Sequence, residues 1–112
     1  MTDWSEVLIS VDVETAGPYP GRFSLLAIGA CLVADATNTF SVALQPVTPD
    51  VDPQALSISG LSLDMLLQEG LAPADAMLRF AEWVQATCTG GARPVFVGFN
   101  APFDWMFVND YF

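Results

Sequence analysis

The chain has 112 residues, 53% of them hydrophobic, and a formal net charge of −10 from 13 acids set against three arginines. That length and apolar content suit one folded domain with a modest core and argue against disorder. The charge excludes a nucleic-acid binder that grips phosphates through a basic patch, and the lack of His removes the commonest general base near neutral pH.

From the N-terminus, the stretch MTDWSEV carries acids where an export signal carries basic residues, so no export is expected. No apolar run reaches the ~18–20 residues a membrane helix needs, and no membrane partner is expected. Cys31 and Cys88 lie far apart without CxxC spacing, which suits reduced, packed thiols in a cytoplasmic protein. Residues 7–13 read as a strand apolar on both faces, the pattern of a central strand. Gly17, Pro18, Pro20 and Gly21 make a turn, and apolar runs at 23–33 and 39–45 follow as two more strands. Between those runs, Asp35-Ala36-Thr37-Asn38 supplies turn chemistry for a hairpin. Residues 46–72 read as irregular, with Pro46, Pro49 and Pro53, except for a short helix around 62–68 ended by Gly70. Residues 73–87 read as a helix with Ala76, Phe80, Val84 and Thr87 on one face and Met77, Ala81 and Trp83 nearby. PVFVGF at 94–99 is a fourth strand, and Asn100 fits the N-cap of a last helix that tolerates Pro102 and runs to 112. The order β-β-β-α-β-α predicts an α/β domain with a mixed sheet. The chain stops in WMFVNDYF, an apolar stretch with no cap, as expected of part of a longer domain.

Two places carry chemistry. Asp12 and Glu14 are two apart, so on a strand they share a face, at the strand's C-terminal end where ligands of α/β sheets bind. Two like charges this close repel, and a hard divalent cation such as Mg²⁺ or Mn²⁺ removes the conflict; solvation of both acids beyond the strand's end is the plainer alternative. In GFNAPFDW, residues 98–105, Asp104 falls in the first turn of a helix, where the dipole alone would favour an acid. The combination is more specific than either part. Neighbouring strands that each end in acids would bring three carboxylates to one or two metals, the pair ~3.5–4 Å apart that can activate water and stabilise a leaving oxygen in phosphodiester cleavage.

With these residues the chain resembles the DEDD superfamily of 3′-to-5′ exonucleases, which have the ribonuclease H-like fold. The family's first motif, D-x-E-T, stands here as Asp12-Val13-Glu14-Thr15, and its second, N-x-x-F-D, as Asn100-Ala101-Pro102-Phe103-Asp104. SISGLS at 57–62 is similar to the family's H-G-I loop, with Ser59 in place of the His. The resemblance implies a ribonuclease H-like mixed sheet over residues 1–112, a single exonuclease domain lacking the C-terminal strand and helix. It implies Asp12, Glu14 and Asp104 as catalytic metal ligands for two Mg²⁺ or Mn²⁺ ions. Thr15, Ser59, Asn100 and Phe103 would lie against the substrate, a single-stranded DNA or RNA 3′ end. A homodimer is one state that relatives adopt. The family's third motif, a general-base His or Tyr and a fourth Asp, has no counterpart in these residues, and Tyr111 is too near Asp104 in sequence to replace it. The 112 residues alone are therefore expected to be inactive or weakly active. Two rivals stand beside this reading: a non-catalytic nucleic-acid- or protein-binding module of the same fold, and a ribonuclease H-like nuclease that cuts internally.

Overall fold

In the computed structural model, residues 5–112 are described; residues 1–4, the first part of the acidic start read against an export signal, lie outside the described residues. β1 (Glu6–Thr15) alternates strictly: Ile9, Val11, Val13 and Thr15 are buried. The expectation that both faces are covered is corrected here. Leu8 is 43% exposed and Asp12 is exposed, so one face of β1 meets the core and the other opens to water at those positions. Period-two burial of this kind leaves a polar residue such as Asp12 solvated without breaking the strand.

β1 is nonetheless central. It pairs antiparallel with β2 (Leu25–Leu32), which pairs antiparallel with β3 (Thr39–Ala43), and it pairs parallel with β4 (Arg93–Val97), giving the order β3-β2-β1-β4. The β2–β3 turn forms as expected: Asp35 accepts the Thr37 N–H, and the Asn38 N–H donates to the Asp35 carbonyl. Between β3 and β4 the chain makes three helices. The first, α1 (Pro53–Ser59), falls in the stretch read as irregular. Asp52 caps it by accepting the Gln54 N–H, and Pro53 occupies its first turn. α2 (Leu63–Glu69) begins at the Ser62 cap, and α3 (Pro73–Thr87) has the bounds the sequence predicts. A 3₁₀ turn then leads to β4, and α4 (Ala101–Tyr111) closes the described chain.

α3 and α4 cover the inner face of the sheet. Ala76, Met77, Phe80, Phe107 and Val108 pack there with Ile9, Val11, Ile28 and Leu44. A smaller cluster of Ala16, Phe23, Leu26 and Leu66, with Leu56 and Leu63 against it, roots α1 and α2 beside the end of β1. The Asp52 N–H donates to the Ala16 carbonyl and fixes that junction. Among the described residues no helix is long and apolar enough to cross a membrane.

Candidate active site

The site follows from a mismatch in strand length. The β1–β4 ladder ends at the Ser10–Val97 pair, yet β1 runs on to Thr15. The stretch of β1 beyond Ser10 therefore has no strand beside it on that side. The first turn of α4 supplies a carboxylate instead: Asp104, only 5% exposed, accepts a hydrogen bond from the Val13 backbone N–H. Gly98 makes room for this. A Cβ there would lie 2.9 Å from Asp104 Oδ2 and 3.2 Å from the Val11 carbonyl oxygen, so only glycine lets the turn after β4 pass so close.

Asp12 is the electrostatic hub. Burial pushes the Asp104 carboxyl above its ordinary range and the Asp12 charge adds to this, while the Val13 N–H pulls the other way. Glu14 is raised in the same manner, first by burial and then by Asp12. No cation figures among the groups that shift either acid. Arg22 is engaged elsewhere, on Asp50 at 3.4 Å. Asp12 thus acts on both Glu14 and Asp104, and no cation is among the groups that act on either acid. A shallow depression of about 330 Å³ beside Asp12 is lined by Ser10, Gly29, Ala30, Cys31 and Phe40. As the side chains stand, no group of three His, Cys, Asp or Glu among the described residues is arranged to hold a metal ion.

The remaining predicted residues are placed unevenly. Thr15 is buried, and its hydroxyl donates to the Gly17 carbonyl at 2.9 Å. Ser59 ends α1, its Oγ donating to the Leu56 carbonyl and accepting the Leu61 N–H. Asn100 holds the N-cap position of α4, but its side chain makes no cap bond and is exposed, a departure from the expected capping. Phe103 is half-buried against Phe107 in the core, with ring centroids 5.3 Å apart. Sequence reasoning missed Tyr111. Pairing passes from Glu14–Ala27 to Thr15–Leu25, so Leu26 is the extra residue of a β-bulge. Tyr111 Oη accepts the Leu25 N–H that the bulge releases, at 2.9 Å, and burial holds its hydroxyl above the usual tyrosine range. α4 is thereby fastened to sheet N–H groups at both ends, by Asp104 and by Tyr111.

No protein-family model matches the chain. Among solved structures, Escherichia coli exonuclease I in complex with an oligonucleotide superposes with a TM-score of 0.75 at 16% identity, covering 96% of this chain and 24% of that one. Product-bound exonuclease I superposes with a TM-score of 0.74 at 16% identity, covering 96% and 25%. That likeness is one of fold, and it agrees with the expected ribonuclease H-like mixed sheet. In sequence, the chain is 49% identical over 107 residues to the 3′-5′ DNA exonuclease Cap18 of Escherichia coli. That relative is a 3′-5′ DNA exonuclease, which agrees with the family the sequence resembles. The chain spans 57% of the length of that relative.

Proposed function

We propose that the protein is a metal-dependent 3′-to-5′ exonuclease acting on single-stranded DNA. The observation that supports the proposal is that Asp12 adds to the upward shift that burial gives the carboxyls of both Glu14 and Asp104, beside the end of β1 that β4 leaves unpaired. DNA is chosen because the sequence relative is a DNA exonuclease, and the single strand because exonuclease I of the same fold binds single oligonucleotides.

The donor chemistry fits a hard cation: three carboxylates, all oxygen, whose mutual repulsion no side-chain cation relieves. Asp12 is exposed and Glu14 partly so, and with Asp104 they are the residues that would hold such an ion. When bound, Mg²⁺ or Mn²⁺ would polarise the scissile phosphate and lower the pKa of water, the family's complete site taking two ions. The chain's own part is positional. The Val13 N–H orients Asp104, Gly98 gives it space, and the Tyr111-closed bulge fixes the end of β1 that carries Glu14 and Thr15. The free side chain of Asn100 is available to the terminal nucleotide, while Thr15 and Ser59 shape the neighbouring loops. No residue here supplies the base: there is no His, and the Tyr111 hydroxyl is already engaged.

The test joins these 112 residues to the part of Cap18 that lies beyond the matched region. With Mn²⁺ the chimaera is expected to shorten a 5′-labelled single strand stepwise from its 3′ end and to leave circular strands intact. Asp12→Ala abolishes this, and the 112 residues alone shorten the strand poorly. Cleavage of the circle would instead establish an internally cutting nuclease, and efficient shortening by the 112 residues alone would contradict the missing base.

A further inference from the structure

The basic side chains of the chain are three arginines, and they are unevenly placed. Arg93 opens β4 opposite Glu6, at the end of β1 away from Glu14, and Arg79 lies in α3. Arg22 lies in the loop that leaves β1. The Ala16 N–H donates to the Ser24 carbonyl, so this loop turns back beside the strand end that carries Glu14. Two residues of chain on each side of that pair, plus the width of the pair, put the Cα atoms of Arg22 and Glu14 at most about 20 Å apart. A laced loop brings Asp50 onto Arg22. The buried Ser24 hydroxyl accepts the Val47 and Thr48 N–H groups, the Thr48 hydroxyl donates to the Arg22 carbonyl, and the Asp50 N–H donates to Thr48 Oγ1. The ion pair itself is loose. Arg22 Nε reaches Asp50 Oδ2 at 3.4 Å, longer than the ~2.7–2.9 Å of a well-made charged hydrogen bond, and the two side chains are 59% and 49% exposed.

An exposed pair of this kind holds its partners weakly, so another anion can take the place of the carboxylate. The guanidinium fork suits a phosphate, whose oxygens it can meet with two parallel N–H bonds. A nucleic acid that approaches this chain meets a net charge of −10, so each phosphate that finds a cation counts toward affinity. We propose that Arg22 is a phosphate contact for the single strand whose 3′ end reaches the carboxylates, and that Asp50 is the built-in competitor which that phosphate displaces. This rests on the exonuclease reading above. The bonds to Ser24 and to the Arg22 carbonyl hold the Asp50 loop in place without using either charged group. The exchange therefore needs only two exposed side chains to turn, and Asp50 stays within reach to recapture Arg22 when the strand leaves.

The experiment follows binding of a 5′-labelled oligo-dT by fluorescence anisotropy, with Ca²⁺ as the divalent ion, at about 50 and about 200 mM salt. On a single strand, one phosphate contact contributes about 0.7 to the slope of log affinity against log salt. Wild type is therefore expected to lose about 2.6-fold more affinity than Arg22→Gln over that rise in salt. Arg22→Lys, which keeps the charge, keeps the wild-type slope. Asp50→Asn is expected to bind more tightly than wild type. It also binds more tightly than Asp75→Asn, which removes the same charge from an exposed position in α3. Adding Arg22→Gln to Asp50→Asn removes that advantage, because the two side chains act as one unit. Because both side chains are exposed, the variants keep the fold, and unchanged circular dichroism checks this. Equal salt slopes for wild type and Arg22→Gln overturn the phosphate contact, and equal gains from Asp50→Asn and Asp75→Asn overturn the competition; both outcomes leave the exonuclease reading standing. Failure of wild type to bind the strand at either salt removes that reading and this proposal together.

Discussion

At Gly98 and Asp104 the site depends on single atoms. A methyl group at position 98 meets the end of the Asp104 side chain, which can turn away, and the Val11 backbone carbonyl, which cannot. Gly98→Ala is predicted to cost about 1–3 kcal/mol in urea unfolding and to turn Asp104 off the Val13 N–H. An unchanged midpoint would show that the turn relaxes freely. The raised carboxyls of Glu14 and Asp104 give a signed pH effect. The folded chain holds their protons to higher pH than the unfolded chain does, so their contribution to stability falls as pH rises from the ordinary carboxyl values through the raised ones. Asp104→Asn keeps an acceptor for Val13 but removes the charge. It is predicted to be more stable than wild type near about pH 7, with the advantage shrinking by about pH 4. A variant less stable than wild type at neutral pH would contradict the repulsion argument. Sequence alone makes Asp12 and Glu14 legible, because spacing of two on a strand fixes a shared face. Gly98 and Tyr111 are not legible there, because their roles rest on contacts with Val11 and Leu25, 87 and 86 positions away.

At the level of elements, the uncovered end of β1 is the feature that makes a site. α4 spans it, held by Asp104 at one end and Tyr111 at the other. Tyr111→Phe keeps the ring and leaves the Leu25 N–H without its partner, a loss of about 1–3 kcal/mol for a buried donor. Hydrogen exchange should show Leu25 losing protection while the α3 amides keep theirs. Full protection at Leu25 would mean that water or another acceptor replaces the hydroxyl. The strands and α3 follow from periodicity, and the bounds of α3 coincide with the expectation. α1 escaped because three prolines dominate the reading of residues 46–53. Yet Asp52-Pro53 is itself a cap followed by a first-turn proline, a start signal for the helix that forms. Apolar residues on both faces of β1 described what that strand is able to bury; Leu8 shows that on one face the capacity is not fully used.

The whole molecule is an acidic body whose fold exonuclease I shares and whose sequence relative is a DNA exonuclease. Its net charge of −10 turns the carboxylate patch from a liability into a cation site only if cations gather there rather than over the entire surface. That distinction is the central claim. It is tested most directly by titrating the isotope-labelled 112-residue chain with Mn²⁺ and following paramagnetic line broadening residue by residue. Saturable broadening centred on Asp12, Glu14 and Asp104, and lost in Asp104→Asn, is the predicted result. Broadening that never saturates, or that spreads over Asp35, Asp64, Asp75 and the other surface acids as strongly as over these three, would contradict it.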